Sequence, residues 1–170
     1  ATTMGVGAPV LGRMAVELFG AGGVEGMVCG PWLALEAEGR RLDLPQLIAI
    51  HRGKTGALIR AACTLGGMAA GGSPAEIAAL GGFGSDVGLA FQIADDVLDA
   101  TATSEALGKT AGRDEALNKS TYVQVLGVDG ARAEAERLAR HAVAQLEAVR
   151  APAAAASLAA LANYIVTRSS

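Results

Sequence analysis

The chain has 170 residues, 51 % of them hydrophobic and only 4 % aromatic, with 14 basic against 17 acidic side chains and a net charge of −3. That length fits one domain with a real core, and the composition favours helices over strands. The charge balance and the absence of a Lys/Arg run exclude a general nucleic-acid surface. Two cysteines, Cys29 and Cys63, and two isolated histidines, His51 and His141, give neither a disulfide framework nor zinc-site spacing. A reducing, cytoplasmic setting is expected. There is no charged-then-apolar leader and no uninterrupted apolar run of membrane-spanning length.

Residues 1–9 are rich in Gly, Thr and Ala, lack a starting Met, and read as a frayed end or a cut within a longer chain. A helical pattern follows from Val10 to about Leu35. Gly20, Gly22, Gly23, Gly26 and Gly30 interrupt it, and Pro31 should kink or restart it. Asp43 and Gln46 have the spacing of an N-cap and its reciprocal partner, with Pro45 in the first turn. The helix they open is expected to run to about Ala70 with an apolar stripe of Leu47, Ile50, Leu58, Ala61 and Leu65. Lys54 falls in the middle of that stripe. A snorkelling lysine is the ordinary explanation.

Gly71-Gly72 breaks the pattern, and Ser73-Pro74-Ala75-Glu76 is a capping box with proline at the first helical position. The next helix is expected to reach about Ala100, with an interruption at Gly81-Gly82. Thr101 to Asn118 reads as a polar loop, long enough to suggest a functional role. Lys119 to Leu126 is expected to be helical. Asp129 can cap a charged helix reaching about Val149, and Pro152 sets off a last helix over about 154–167.

The most informative stretch is Phe91-Gln92-Ile93-Ala94-Asp95-Asp96-Val97-Leu98-Asp99. At 100° per residue, Gly88, Gln92, Asp95, Asp96 and Asp99 fall in a sector roughly 100° wide. The rest of the helix is apolar, so a solvated acidic cluster, the usual explanation, fits poorly. Carboxylates in such surroundings need a cation, and Mg²⁺ is one that pairs one or two of them with substrate phosphates. The two helices thus break their own apolar patterns with opposite charge. Aspartate–metal–diphosphate–lysine is an arrangement that reconciles them, with Lys109, Asp114 and Lys119 added from the polar loop and its end. Such a set suits departure of a diphosphate, because cations stabilise the developing negative charge.

These residues resemble the trans-prenyl diphosphate synthases, most closely the bacterial farnesyl/geranylgeranyl diphosphate synthase group. The matching stretches are His51-Arg52-Gly53-Lys54-Thr55-Gly56-Ala57-Leu58-Ile59, Gly88 to Asp99, Gly108-Lys109 with Gly112 and Asp114, and Asn118-Lys119-Ser120-Thr121-Tyr122. The close, Leu161 to Arg168, is also similar. The resemblance implies an all-α isoprenoid synthase-type bundle, here as a single domain over 1–170 matching the family's second half. It implies Mg²⁺ as cofactor, an allylic diphosphate and isopentenyl diphosphate as substrates, and a homodimer. Asp95 would ligate Mg²⁺ directly, with Asp96 and Asp99 completing the motif partly through water. Lys54 and Lys109 would hold the allylic diphosphate, Thr55 and Gln92 would sit near the reacting carbon, and Phe91 belongs to the substrate-binding set. Asp114, through water, and Lys119 would give remoter support.

Two departures stand beside that match. The family's Gln and Asp in the helix before the Lys-Thr motif are replaced by Pro31 and Ala34. The first aspartate-rich motif and the basic isopentenyl-diphosphate site, which lie in the family's first half, are absent from these residues. The missing half of an enzyme would lie elsewhere in a longer chain or on a partner chain; the alternative expectation is a fragment or non-catalytic subunit that keeps the fold and at most binds Mg²⁺-diphosphate.

Overall fold

A computed structural model describes residues 5–24, 26–37, 39–107 and 120–168, with the backbone alone over 102–107. Every element among them is helical: α1 (Ala8–Gly22), α2 (Cys29–Glu36), α3 (Leu44–His51), a π-helical turn (Arg52–Gly56), α4 (Ala57–Ala69), α5 (Pro74–Leu107), α6 (Tyr122–Gln145), a short 3₁₀ turn (Leu146–Ala148) and α7 (Pro152–Thr167). This is the all-α architecture expected from the composition.

The helix starts follow their caps. Asp43 Oδ1 accepts from Gln46 N (2.9 Å) while Gln46 Oε1 accepts from Asp43 N (3.0 Å). Ser73 and Glu76 form the second reciprocal cap, with Ser73 N donating to Glu76 Oε2 (2.9 Å). Pro9 and Pro152 stand in the first turns of α1 and α7, where a missing N–H costs nothing. The glycine-rich stretch after α1 ends that helix at Gly22, and α2 restarts at Cys29, just ahead of Pro31. Gly127, at φ 72°, kinks α6 shortly before Asp129, where two helices were expected.

α5 is the central helix, packing on α4, α6 and α7. Leu89, Ala90, Ile93 and Val97 meet Leu47 of α3 and Tyr122, Ala131, Ala135 and Leu138 of α6. Phe83 and Val87 meet Ala142, Leu146, Ala162 and Ile165. A fully buried large apolar side chain contributes about 1.5–3 kcal/mol. The buried face of α6 is mostly alanine, which lets its backbone lie close to α5. Asp86, buried on α5, takes hydrogen bonds from His141 Nδ1 (2.6 Å) and Gln145 Nε2 (2.7 Å), so a polar stitch joins the same two helices. α5 has the length and apolarity of a membrane span, with mean hydropathy 1.3 in its most apolar window. Since 56 % of that window is buried, it has the character of a core helix.

Three sequence expectations are corrected. The helix over 45–70 is broken in register by the π turn, which inserts one extra residue. That insertion rotates everything after it. Leu58 turns outward, Thr64 and Gly67 replace Leu65 on the buried face with Ala61, and Lys54 is exposed rather than central to the stripe. α5 runs through Gly81-Gly82 without a break; those glycines face Thr64 and the tip of the Gln145 side chain. The segment expected as a loop from Thr101 is helical to Leu107.

Candidate functional site

The Lys54-Thr55 turn lies on α5 because both surfaces lack side chains where they cross. A Cβ at Gly88 would come within 2.8 Å of Gly56 Cα, so the turn rests almost on the α5 backbone one turn before Gln92. From the other side, a Cβ at Gly30 would meet Lys54 N at 2.3 Å, so α2 is seated directly on the turn. Lys54 and Thr55 are thereby held between α2 and the start of the acidic stretch.

Gln92 is fixed by His51, whose Nδ1 stands 3.2 Å from Gln92 Oε1. The carbonyl oxygen can only accept, so the proton is on Nδ1. Burial lowers the His51 pKa, the Gln92 hydrogen bond raises it and the Lys54 charge lowers it, favouring the neutral ring overall. The His51 ring packs on Tyr122, with centroids 5.5 Å apart. His51 Nε2 and the Tyr122 hydroxyl are both buried without a hydrogen-bond partner among the described residues. Tyr122 N in turn donates to Asp96 Oδ2 (2.9 Å), tying Asp96 to the start of α6.

Asp95 and Asp99 lie one helical turn apart. Burial raises the Asp95 pKa most, Arg168 opposes that, and the neighbouring Asp99 charge raises it further. Arg168, just past α7, forms an ion pair with Asp95 Oδ1 through Nη2 and stacks its guanidinium over Phe91 at 4.6 Å from the ring centroid. The expected demand for a cation at the acidic stripe is thus met, at Asp95, by a residue to which the sequence reading gave no role. The stripe itself is half-buried to exposed, while Ile93, Ala94 and Val97 beside it are buried.

Lys54, Thr55, Phe91, Gln92, Asp95, Asp96 and Asp99 therefore belong to one region of the fold. Lys109, Asp114 and Lys119 lie outside the described residues. His51, Tyr122 and Arg168 join this region with no motif of their own to mark them in the sequence. Their only signal was membership of the matched stretches. Two concavities lie elsewhere, one of 780 Å³ between α1, α4 and the start of α5, and one of 250 Å³ bordered by α2 and α3.

No group of three His, Cys, Asp or Glu side chains among the described residues is arranged to hold a metal unaided. Two neighbouring hard-oxygen donors, Asp95 and Asp99, with a carboxylate that has already drawn in a cation, nevertheless fit Mg²⁺. That ion takes one or two protein carboxylates and fills its remaining positions with phosphate and water.

A polyprenyl synthetase family profile matches residues 15–158. The farnesyl diphosphate synthase of Escherichia coli (strain K12) is 43 % identical over 159 residues, covering 91 % of this chain and 52 % of that protein. Geranylgeranyl pyrophosphate synthase 9, chloroplastic, of Arabidopsis thaliana is 43 % identical, covering 92 % of this chain and 44 % of that protein. A Helicobacter pylori geranyltransferase, solved in complex with magnesium and isoprenyl diphosphate, superposes with a TM-score of 0.79 at 30 % identity, covering 98 % of this chain and 55 % of the other. The chain spans about half the length of the curated relatives it matches.

Proposed function

This chain belongs to the polyprenyl synthetase family, and from that premise we propose that it supplies the diphosphate-leaving side of a short-chain trans-prenyltransferase that condenses an allylic diphosphate with isopentenyl diphosphate. In this reading the Lys54 and Lys109 ammonium groups hold the allylic diphosphate as its C–O bond ionises. Thr55 and Gln92 line the region of the reacting carbon, Gln92 oriented by His51, and Phe91 lines the substrate. Asp95, with Asp96 and Asp99 beside it, would hold Mg²⁺, and Asp114 and Lys119 would act more remotely. Bound there, Mg²⁺ supplies Lewis-acid stabilisation of the negative charge on the departing diphosphate. The isopentenyl double bond then attacks the allylic cation and a proton is lost.

The observation that carries this reading is the Gly56–Gly88 crossing, which sets the Lys54-Thr55 turn against the helix that bears Gln92 and Asp95. The magnesium and isoprenyl diphosphate complex of the Helicobacter pylori relative supports the same ligand chemistry. The proposed assembly is a homodimer. Asp95→Asn or Lys54→Ala, in a form of the protein that turns over, is expected to lower kcat about 10²–10³-fold, the cost of removing one preorganised charge-stabilising group. Steady-state kinetics with near-normal kcat in either variant would refute the role assignment.

A second reading is a subunit that binds Mg²⁺-diphosphate without turning it over. The observation in its favour lies on α2. Gly30 sits on Lys54, yet the positions one and four residues further on carry Pro31 and Ala34, with no polar side chain to offer. Diphosphate binding without product, in a protein that includes both halves of the fold, would select it.

A further inference from the structure

Arg168 has left α7, but its backbone N–H still donates to Tyr164 O (2.9 Å), so the side chain extends from a fixed helix end. Its guanidinium meets two residues of the α5 motif at once, Asp95 Oδ1 by an ion pair and Phe91 by stacking. The side chain is 22 % exposed. Its Nε is buried with no acceptor among the described residues. A guanidinium seated as a permanent structural brace ordinarily finds acceptors for its fork. This one is held by one carboxylate and one ring face, and leaves a donor stranded. That is a poor resting place for a brace and a reasonable one for a cation that must be able to leave.

The carboxylate it holds is the one assigned to the metal above. A divalent ion and a guanidinium beside the same Asp95 repel each other and draw on the same negative charge. Resting on that assignment, we infer that Arg168 is a resident stand-in for the metal. It neutralises Asp95 when no metal is bound and must swing off before a divalent metal–diphosphate can settle, so the end of α7 behaves as a strap over the acidic motif. Phe91 is the perch that keeps the strap near its carboxylate. Asp99, one turn on, supplies the second negative charge that favours the doubly charged competitor.

The test uses this chain, Mg²⁺ with inorganic pyrophosphate, and calorimetry alongside amide hydrogen exchange over 161–168. Arg168→Gln is expected to bind Mg²⁺-pyrophosphate about threefold to tenfold more tightly than the wild type, the scale of a partly exposed ion pair plus its stacking contact. Arg168→Lys, which keeps the charge but loses the planar fork, should fall between them. In the wild type, adding Mg²⁺-pyrophosphate should speed exchange in the last turn of α7, and Asp95→Asn should speed it with no metal present. Equal or weaker binding by Arg168→Gln, or unchanged exchange in Asp95→Asn, overturns the strap while leaving the metal assignment standing. Absence of saturable binding by both wild type and Arg168→Gln overturns both.

Discussion

Glu76 shows what one surface carboxylate does in this fold. Its Oε1 accepts from Arg150 N (3.0 Å), and its Oε2 accepts from Ser73 N (2.9 Å) and Ser73 Oγ (2.7 Å). The start of α5 is thereby tied to the connection leading into α7. The Arg150 N–H, followed by the Ser73 donors, pulls the Glu76 pKa from 4.5 down to about 2. Because the folded value lies below the unfolded one, the tie is fully present above pH 4.5 and is lost as pH falls through about 2. Thermal melts of wild type and Glu76→Gln are expected to differ by a constant amount near neutrality and to converge from about pH 4.5 downward. A gap that stays constant across that window would contradict the assignment. Asp43, Ser73 and Glu76 were all legible in the sequence, since a cap is a contact between residues three apart. The Asp95–Arg168 pair was not, because nothing local links residues 73 positions apart.

At the scale of elements, the site depends on backbones that touch. Gly88→Ala places a methyl 2.8 Å from Gly56 Cα, and backbone gives way less readily than a side-chain tip. The substitution is expected to destabilise by about 1–3 kcal/mol, the usual cost of overpacking, measured by urea denaturation. Wild-type stability in Gly88→Ala would mean that the turn and α5 are not held as described. The capping box at Ser73 and the apolar run behind it found α5, and the 100° step per residue grouped its carboxylates on one face. Sequence periodicity missed the π turn, because a stripe drawn at a constant 3.6-residue period has no way to register one inserted residue. That single insertion accounts for the misplacement of Lys54, Leu58 and Leu65. The glycines at 81 and 82 misled in the opposite sense, being read as breaks where they are clearances for neighbouring side chains.

At the scale of the molecule, large apolar side chains of α1, α2 and the turn between them remain exposed. Phe19 is 77 % exposed and Trp32 62 %, and Val16, Val24 and Leu35 are comparably open. The 170 residues contain one aspartate-rich motif, where the resemblance to prenyl diphosphate synthases implies two. Incubated alone with an allylic diphosphate, isopentenyl diphosphate and Mg²⁺, they are expected to give no condensation product by chromatography. Product formation would mean that a single motif suffices.

The seating of Gly30 on Lys54 constrains how this site can change. With no room for even a methyl group between them, α2 cannot slide or rotate to suit whatever its neighbouring positions carry. The helix is a fixed shelf, and residues 31 and 34 stand on it, both open to solvent. Polar side chains placed at those two positions would therefore arrive already registered against Lys54.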